Sequence, residues 1–153
     1  MSATNGRFLR ERRIRFSDCD PAGIVFFPQY FVMLNGLVED WVDDALGLGY
    51  RNVVVGRRVG LPTVHLEADF KAVSYLGDPV VLSLEVERLG QRSLTLQVRC
   101  TGNADHDLRM GVRQVIVTTS LETHRPIDIP DDLRTAIERF APAVTHIRGT
   151  GTG

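Results

Sequence analysis

Apolar residues recur along the chain at two different spacings, and the places where the spacing changes mark the elements. Phe8, Ile14 and Phe16 share one parity among charged neighbours, which predicts a first strand at about Arg10 to Ser17. From Pro28 to Leu46 the spacing is helical. Tyr30, Met33, Leu37 and Trp41 fall at i, i+3, i+7 and i+11, and Phe31, Leu34, Val38 and Val42 form the adjoining stripe. Pro28 suits the first turn of a helix, and Gly47 and Gly49 suit its end. The first two-thirds of this helix is apolar almost all round, as a helix enclosed by a sheet would need. Its acidic residues, Glu39, Asp40, Asp43 and Asp44, come late.

After Leu61-Pro62 the period becomes two. Val64, Leu66, Ala68, Phe70 and Ala72 alternate with His65, Glu67, Asp69 and Lys71. Gly77-Asp78-Pro79 turns the chain into Val80, Leu82, Leu84 and Val86. Gly90-Gln91 turns it again into Leu94, Leu96, Val98 and Cys100. Gly102-Asn103-Ala104-Asp105 then leads to a strand from about Asp107 to Ser120. A short helix is expected near Asp131 to Phe140. Strands in sequence, joined by tight turns and carrying charge on a second face, predict one antiparallel sheet of about five strands curled around one long helix. The class is α+β, with a single domain over residues 10–141 and flexible ends at 1–9 and 142–153.

Composition narrows the function. The chain has 153 residues, 43% apolar and 24% charged, with a formal net charge of −1. It needs no disulfide or metal staple to bury a core, and no bulk charge draws it to nucleic acid or an anionic membrane. Cys19 and Cys100 stand alone, which gives neither a disulfide framework nor a zinc site and fits a reducing, cytoplasmic setting. The polar, arginine-rich Met1 to Arg13 lacks the apolar stretch of a signal peptide. No run approaches the ~20 apolar residues of a membrane span.

The chemistry is concentrated in Asp18-Cys19-Asp20-Pro21-Ala22-Gly23-Ile24-Val25-Phe26-Phe27-Pro28-Gln29-Tyr30. Two carboxylates occupy a turn directly before a helix, whose first N–H groups are unpaired and carry about half a positive charge. An oxygen that becomes anionic during acyl transfer is stabilised in such a place. A neighbouring carboxylate can attack a carbonyl or activate water. The residues alone also fit a plain capping turn, and they do not name a thioester.

This segment, with Arg13-Ile14-Arg15-Phe16 before it, resembles the signature of the 4-hydroxybenzoyl-CoA thioesterase family of hotdog proteins. The resemblance extends to Gly60-Leu61-Pro62-Thr63 and to Ser74-Tyr75-Leu76-Gly77-Asp78. It implies an acyl-CoA thioesterase acting on an aryl- or other small acyl-CoA, with no cofactor beyond the coenzyme A of the substrate. It also implies a hotdog fold dimerised edge to edge and paired again into a homotetramer. By position, Asp20 matches the catalytic carboxylate, as nucleophile or base, and the Phe27 N–H matches the group that polarises the thioester carbonyl. Asp18 is expected to orient the loop beside the substrate, with Phe26 and Tyr30 shaping the pocket. Asn35 stands where relatives often carry an acid, and as an amide it can bind but not act as a base. Arg92 and Arg125, the latter after His124, fall where relatives hold the CoA phosphates. His65 is placed to face the pocket at a subunit boundary.

Three other readings compete. An Asp18-x-Asp20 phosphotransferase with magnesium would need a fully apolar parallel strand before the motif. A dehydratase or isomerase would need a histidine that this loop lacks. A non-catalytic acyl-CoA or aromatic-ligand binder would use the same groove without turnover.

Overall fold

The computed structural model of the protein describes residues 6–146. In chain order its elements are β1 (Arg7–Arg13), α1 (Pro28–Asp40), β2 (Val59–Gly60), β3 (Thr63–Phe70), β4 (Pro79–Leu89), β5 (Ser93–Gly102), β6 (Leu108–Val117), β7 (Thr119–Ser120), α2 (Asp131–Phe140) and β8 (Thr145–His146). The main sheet runs β1-β4-β5-β6-β3 with every neighbouring pair antiparallel, and β8 lies parallel to β4. β2 and β7 form a separate two-stranded ribbon.

Period-two alternation puts Val80, Leu82 and Leu84 of β4 on the inner face with Leu96, Val98, Met110 and Val112 of the next two strands, all buried. They share one core with both helical stripes of α1. At ~1.5–3 kcal/mol per fully buried side chain, this shared face is the main source of stability. After Asp40 the helix widens through Trp41–Ala45, where the Leu46 N–H reaches back five residues to the Trp41 carbonyl at 2.9 Å. Trp41 and Val42 thereby stay buried, and Trp41 meets Phe140 of α2 edge to face at 5.6 Å.

The expectations need several corrections. The first strand starts at Arg7 and stops at Arg13, because the Asp18 carboxylate accepts the Arg15 N–H and bends the chain into a short 3-10 turn. Phe16, read as inward, is therefore 77% exposed. The domain is wider than residues 10–141, since β1 begins at Arg7 and β8 reaches His146. Of the ends expected to be flexible, 1–5 and 147–153 lie outside the described residues, while Arg7–Leu9 and Thr145–His146 are paired with β4. The last long strand ends at Val117. There the Thr118 hydroxyl donates to the Ile127 carbonyl at 2.7 Å, and the chain crosses to pair with β2.

Two surfaces are less covered than the pattern suggested. The helix is not enclosed all round, since Val32 is 61% exposed on a stripe with Asn35, Gly36 and Glu39. β3 pairs only with β6, so its outer edge is open, and Val64 and Phe70 stand about half out of the core.

Candidate active site

The segment from Asp18 to Phe26 closes on itself as a miniature hairpin. The Phe26 N–H donates to the Asp18 carbonyl at 3.0 Å, Cys19 bridges Val25, and the Asp20 N–H donates to the Ile24 carbonyl at 3.0 Å. Gly23 returns a bond to the Asp20 carbonyl at 2.9 Å from a left-handed φ of 78°, which glycine adopts without strain. The tip is tied to the following turn by Leu76 N–H to the Gly23 carbonyl and by Val25 N–H to the Ser74 carbonyl.

The two aspartates of this hairpin have different surroundings. Asp18 is buried, and its Oδ2 accepts both Arg12 Nη2 at 2.7 Å and the Arg15 N–H at 2.8 Å. Those contacts hold the loop and leave Asp18 facing its own chain rather than the groove. Asp20 is half-buried at the tip. Its Oδ1 accepts the Ala22 N–H at 2.8 Å, and Oδ2 meets no donor among the described residues. One oxygen is thus oriented and the other left free, as a nucleophile or base needs. Between the aspartates, the Cys19 thiol is pushed up by desolvation and then by both carboxylates, so it is a poor thiolate.

At the other end of the hairpin, Phe27 is the residue before α1. Pro28 has no N–H, and the Phe27 N–H meets no acceptor among the described residues. The helix thus opens with a free donor at its positive end. The Phe27 ring is 55% exposed and packs edge to face on Phe26 at 5.7 Å and on Phe70 at 5.8 Å. Phe70 also meets Tyr30 at 6.0 Å and Phe31 at 6.2 Å. The rings of Phe27, Tyr30 and Phe70 form one wall of an open groove of about 260 Å³ whose other wall is Ala72 to Ser74, and Phe26, expected to shape the pocket, packs behind Phe27 outside its lining. The Tyr30 hydroxyl donates to Ser74 Oγ at 2.8 Å, and burial raises the phenol despite that bond, so it stays neutral. Beneath them the buried Arg109 donates to the Val73 carbonyl at 2.9 Å, to Asp78 at 3.1 Å and to Asp105 at 2.9 Å.

The remaining candidates lie elsewhere. Asn35 is on the exposed stripe of α1. His65 is on the outer face of β3, 3.1 Å from Glu67 and turned away from the groove of its own chain. Arg92 is engaged by Asp128 at 2.9 Å, and Arg125 is exposed with its side chain unpartnered among the described residues. Both belong to the far end of the sheet, where the Arg92 carbonyl accepts the Thr118 N–H and the Arg125 carbonyl accepts the Ser120 N–H. Phe70 pairs with Met110, and at ~3.3 Å per residue Thr118, just past the end of β6, lies about 26 Å further on. One chain alone therefore does not bring these arginines to Asp20.

Phe70 and Arg109 were missed from sequence. Phe70 carried the parity of a core residue, and nothing local shows that the open edge leaves its ring free to wall a groove. Arg109 between Leu108 and Met110 is visibly out of place, but Asp78 and Val73 lie 31 and 36 residues away. Among the described residues, no group of three or more His, Cys, Asp or Glu could hold a metal ion, and no helix is long and apolar enough to cross a membrane.

Comparison with known proteins adds a consistent set of likenesses. Residues 14–137 match the family described as the thioesterase-like superfamily. The chain is 31% identical to the 1,4-dihydroxy-2-naphthoyl-CoA hydrolase of Synechococcus sp. (strain WH7803), with 94% of each chain covered. A crystal structure of a 1,4-dihydroxy-2-naphthoyl-CoA thioesterase from Synechocystis superposes with a TM-score of 0.78 at 25% identity, covering 86% of this chain and 96% of that one. A gentisyl-coenzyme A thioesterase superposes with a TM-score of 0.75 at 22% identity, covering 83% and 99%. The sheet curled around α1 is the fold these thioesterases share.

Proposed function

The chain belongs to the thioesterase-like superfamily, and on that premise we propose that it is an acyl-CoA thioesterase acting on a hydroxylated aromatic acyl-CoA. The observation that carries the reading is the pairing, in one short hairpin, of a carboxylate with one free oxygen and a free N–H at a helix start. The thioester carbonyl oxygen accepts the Phe27 N–H, which stabilises the negative charge that develops there. The free oxygen of Asp20 attacks the carbonyl carbon, or removes a proton from a water that does so. When water attacks, the C–S bond breaks, the proton held by Asp20 passes to the departing CoA thiolate and the acid is released. When Asp20 attacks, the C–S bond breaks to leave an acyl–aspartyl anhydride, which water then hydrolyses to the free acid as its proton goes to the CoA thiolate. The aromatic wall of Phe27, Tyr30 and Phe70 suits a ring, as do the substrates named for the two relatives.

The working unit in this reading is a dimer made through β3. An open edge with half-exposed Val64 and Phe70 invites a second copy. Antiparallel pairing about a two-fold axis sets the Thr63 end of one β3 beside the Phe70 end of the other. Arg92 and Arg125 of one copy thereby approach the Asp20 site of the other, where the CoA phosphates need cations. Two dimers then associate through the exposed stripe of α1 around Val32 and Asn35. The unpaired thiols suit a cytoplasmic protein.

Thiol release from hydroxyaryl-, aryl- and straight-chain acyl-CoAs tests the reading, with sedimentation giving the subunit number. Turnover of the hydroxyaryl ester, abolished in Asp20→Asn, is expected. Saturable binding with no thiol release would make the protein a binder instead. A single turnover in ¹⁸O-water separates the two roles of Asp20. A first acid without solvent label, with the label in Asp20, follows only from attack by the carboxylate and hydrolysis of the anhydride at the aspartyl carbon. A labelled first acid is assigned to direct attack by water when rapid quenching traps no acyl-enzyme.

A further inference from the structure

On the inner face of the sheet, where Met110, Val112 and Ile116 are apolar and buried, β6 carries Gln114. The side chain is 1% exposed. A buried amide among aliphatic groups disfavours folding unless its hydrogen bonds are met, and here they are met in part. Nε2 donates to Thr63 Oγ1 at 2.7 Å, while Oε1 has no partner. Leucine or methionine would fill the space without leaving an orphaned oxygen, so stability does not explain the glutamine.

Thr63 is also unusually placed. Strict alternation along β3 would turn it outward with His65. A bulge between Thr63 and His65 changes the phase, so that Thr63 opposes Ile116 while His65 opposes Val115. The hydroxyl is thereby moved to the inner face, diagonal to Gln114, which itself opposes Leu66. Bulges next to active sites commonly re-aim a side chain in this way. Thr63 is exposed and begins the open edge strand, so only one side of its hydroxyl is covered by its own chain. Because Oγ1 already accepts from Gln114, the hydroxyl proton is directed away from Gln114, towards the open edge.

We infer that Thr63 is a substrate-binding donor whose proton is set by Gln114, acting on the acyl-CoA held at the other copy's Asp20. The inference rests on the edge-to-edge dimer of the proposed function, because Thr63 and the Asp20 loop of one chain stand at opposite ends of β3. The group it serves is an oxygen acceptor of the ester, either an oxygen substituent on the acyl ring or an amide carbonyl of the pantetheine arm. Gln114 touches no substrate and acts as a positioning residue.

The test measures the affinity of the intact protein for two non-hydrolysable thioether analogues of aryl-CoA, one with a ring hydroxyl and one without, beside turnover of the matching thioesters. Thr63→Val is expected to weaken binding by about 3- to 10-fold, the effect of one neutral hydrogen bond, and Thr63→Ser to restore it. Gln114→Met, which keeps the volume, is expected to weaken binding to the same extent without lowering Tm. The double variant is expected to be no worse than Thr63→Val. A loss confined to the hydroxylated analogue assigns the contact to the ring, and an equal loss on both assigns it to the pantetheine arm. Unchanged affinity in Thr63→Val, with turnover still abolished by Asp20→Asn, overturns the inference and leaves the thioesterase reading intact. Weakened binding in a protein that turns over no ester supports the inference and removes the thioesterase reading.

Discussion

The hairpin from Asp18 to Phe27 and the edge strand β3 both border the groove, yet they are completed by different means. The hairpin is satisfied from within its own chain. The backbone bonds that close it run between residues at most eight apart, two more tie its tip to the Ser74–Leu76 turn, and its buried carboxylate is matched by Arg12 only six residues earlier. β3 has a partner on one side only and leaves Val64 and Phe70 half-exposed. The difference separates chemistry from recognition. In the proposed function the candidate reacting groups sit on the hairpin, whereas the surface that surrounds a ligand is left for a second copy to finish.

The comparison can be broken at the hairpin first, where the largest effects are expected. Asp20→Asn should lower kcat by ~10²–10⁴, the usual contribution of a positioned acid or base, with an unchanged circular dichroism spectrum. Phe27→Pro should cost ~10²–10³ in kcat by deleting the N–H. The native φ of −52° already suits proline. Phe27→Ala, which keeps the N–H, should lose much less, and the contrast isolates the backbone donor from the ring.

At the edge, Val64→Asp should weaken the dimer about tenfold or more, since it replaces ~1.5–3 kcal/mol of apolar burial with a charge. Sedimentation should show the mass halved at micromolar concentration, and turnover should fall with it. Asp18→Asn should remove part of a charge-assisted hydrogen bond and cost about 1–3 kcal/mol in stability. Its effect on kcat should be much smaller than that of Asp20→Asn, because Asp18 acts on the loop. The smallest effect is one of reactivity. Burial pushes the Cys100 thiol up to about 11 from an ordinary 9.0. At pH 8, alkylation of Cys100 should therefore wait for global unfolding. Because the folded state keeps this proton and the unfolded state loses it, stability falls as pH rises from 9 towards 11, and Cys100→Ala should flatten that slope.

The same contrast explains what could be read from the residues alone. The hairpin and the stripes of α1 are local patterns, so Tyr30, Met33, Leu37 and Trp41 could be placed inward from their spacing. α2 likewise spans Asp131–Phe140 as its pattern predicts. Failures occur where one local bond overrides a period. The Asp18 cap on Arg15 turned Phe16 out to solvent, and the bulge before His65 turned Thr63 in. The Tyr30–Ser74–Arg109 support of the groove could not be read, because it joins three separate elements. The distance between the arginines at Thr118 and the carboxylate at Asp20 is a property of strand length, which a list of candidate residues does not contain.

The bare edge of β3 also bears on how the protein matures in the cell. A newly made copy offers the unmatched amides and carbonyls of alternate residues along an eight-residue strand to any extended peptide it meets. For the edge-to-edge dimer proposed above, finding a twin is second order in concentration, so correct assembly races against capture by strangers and is slowest when the protein is scarce. The outward row of His65, Glu67 and Asp69 acts as a gatekeeper in that race. Its charges discourage casual zippering, while the apolar side of the same strand rewards the one surface shaped to cover it.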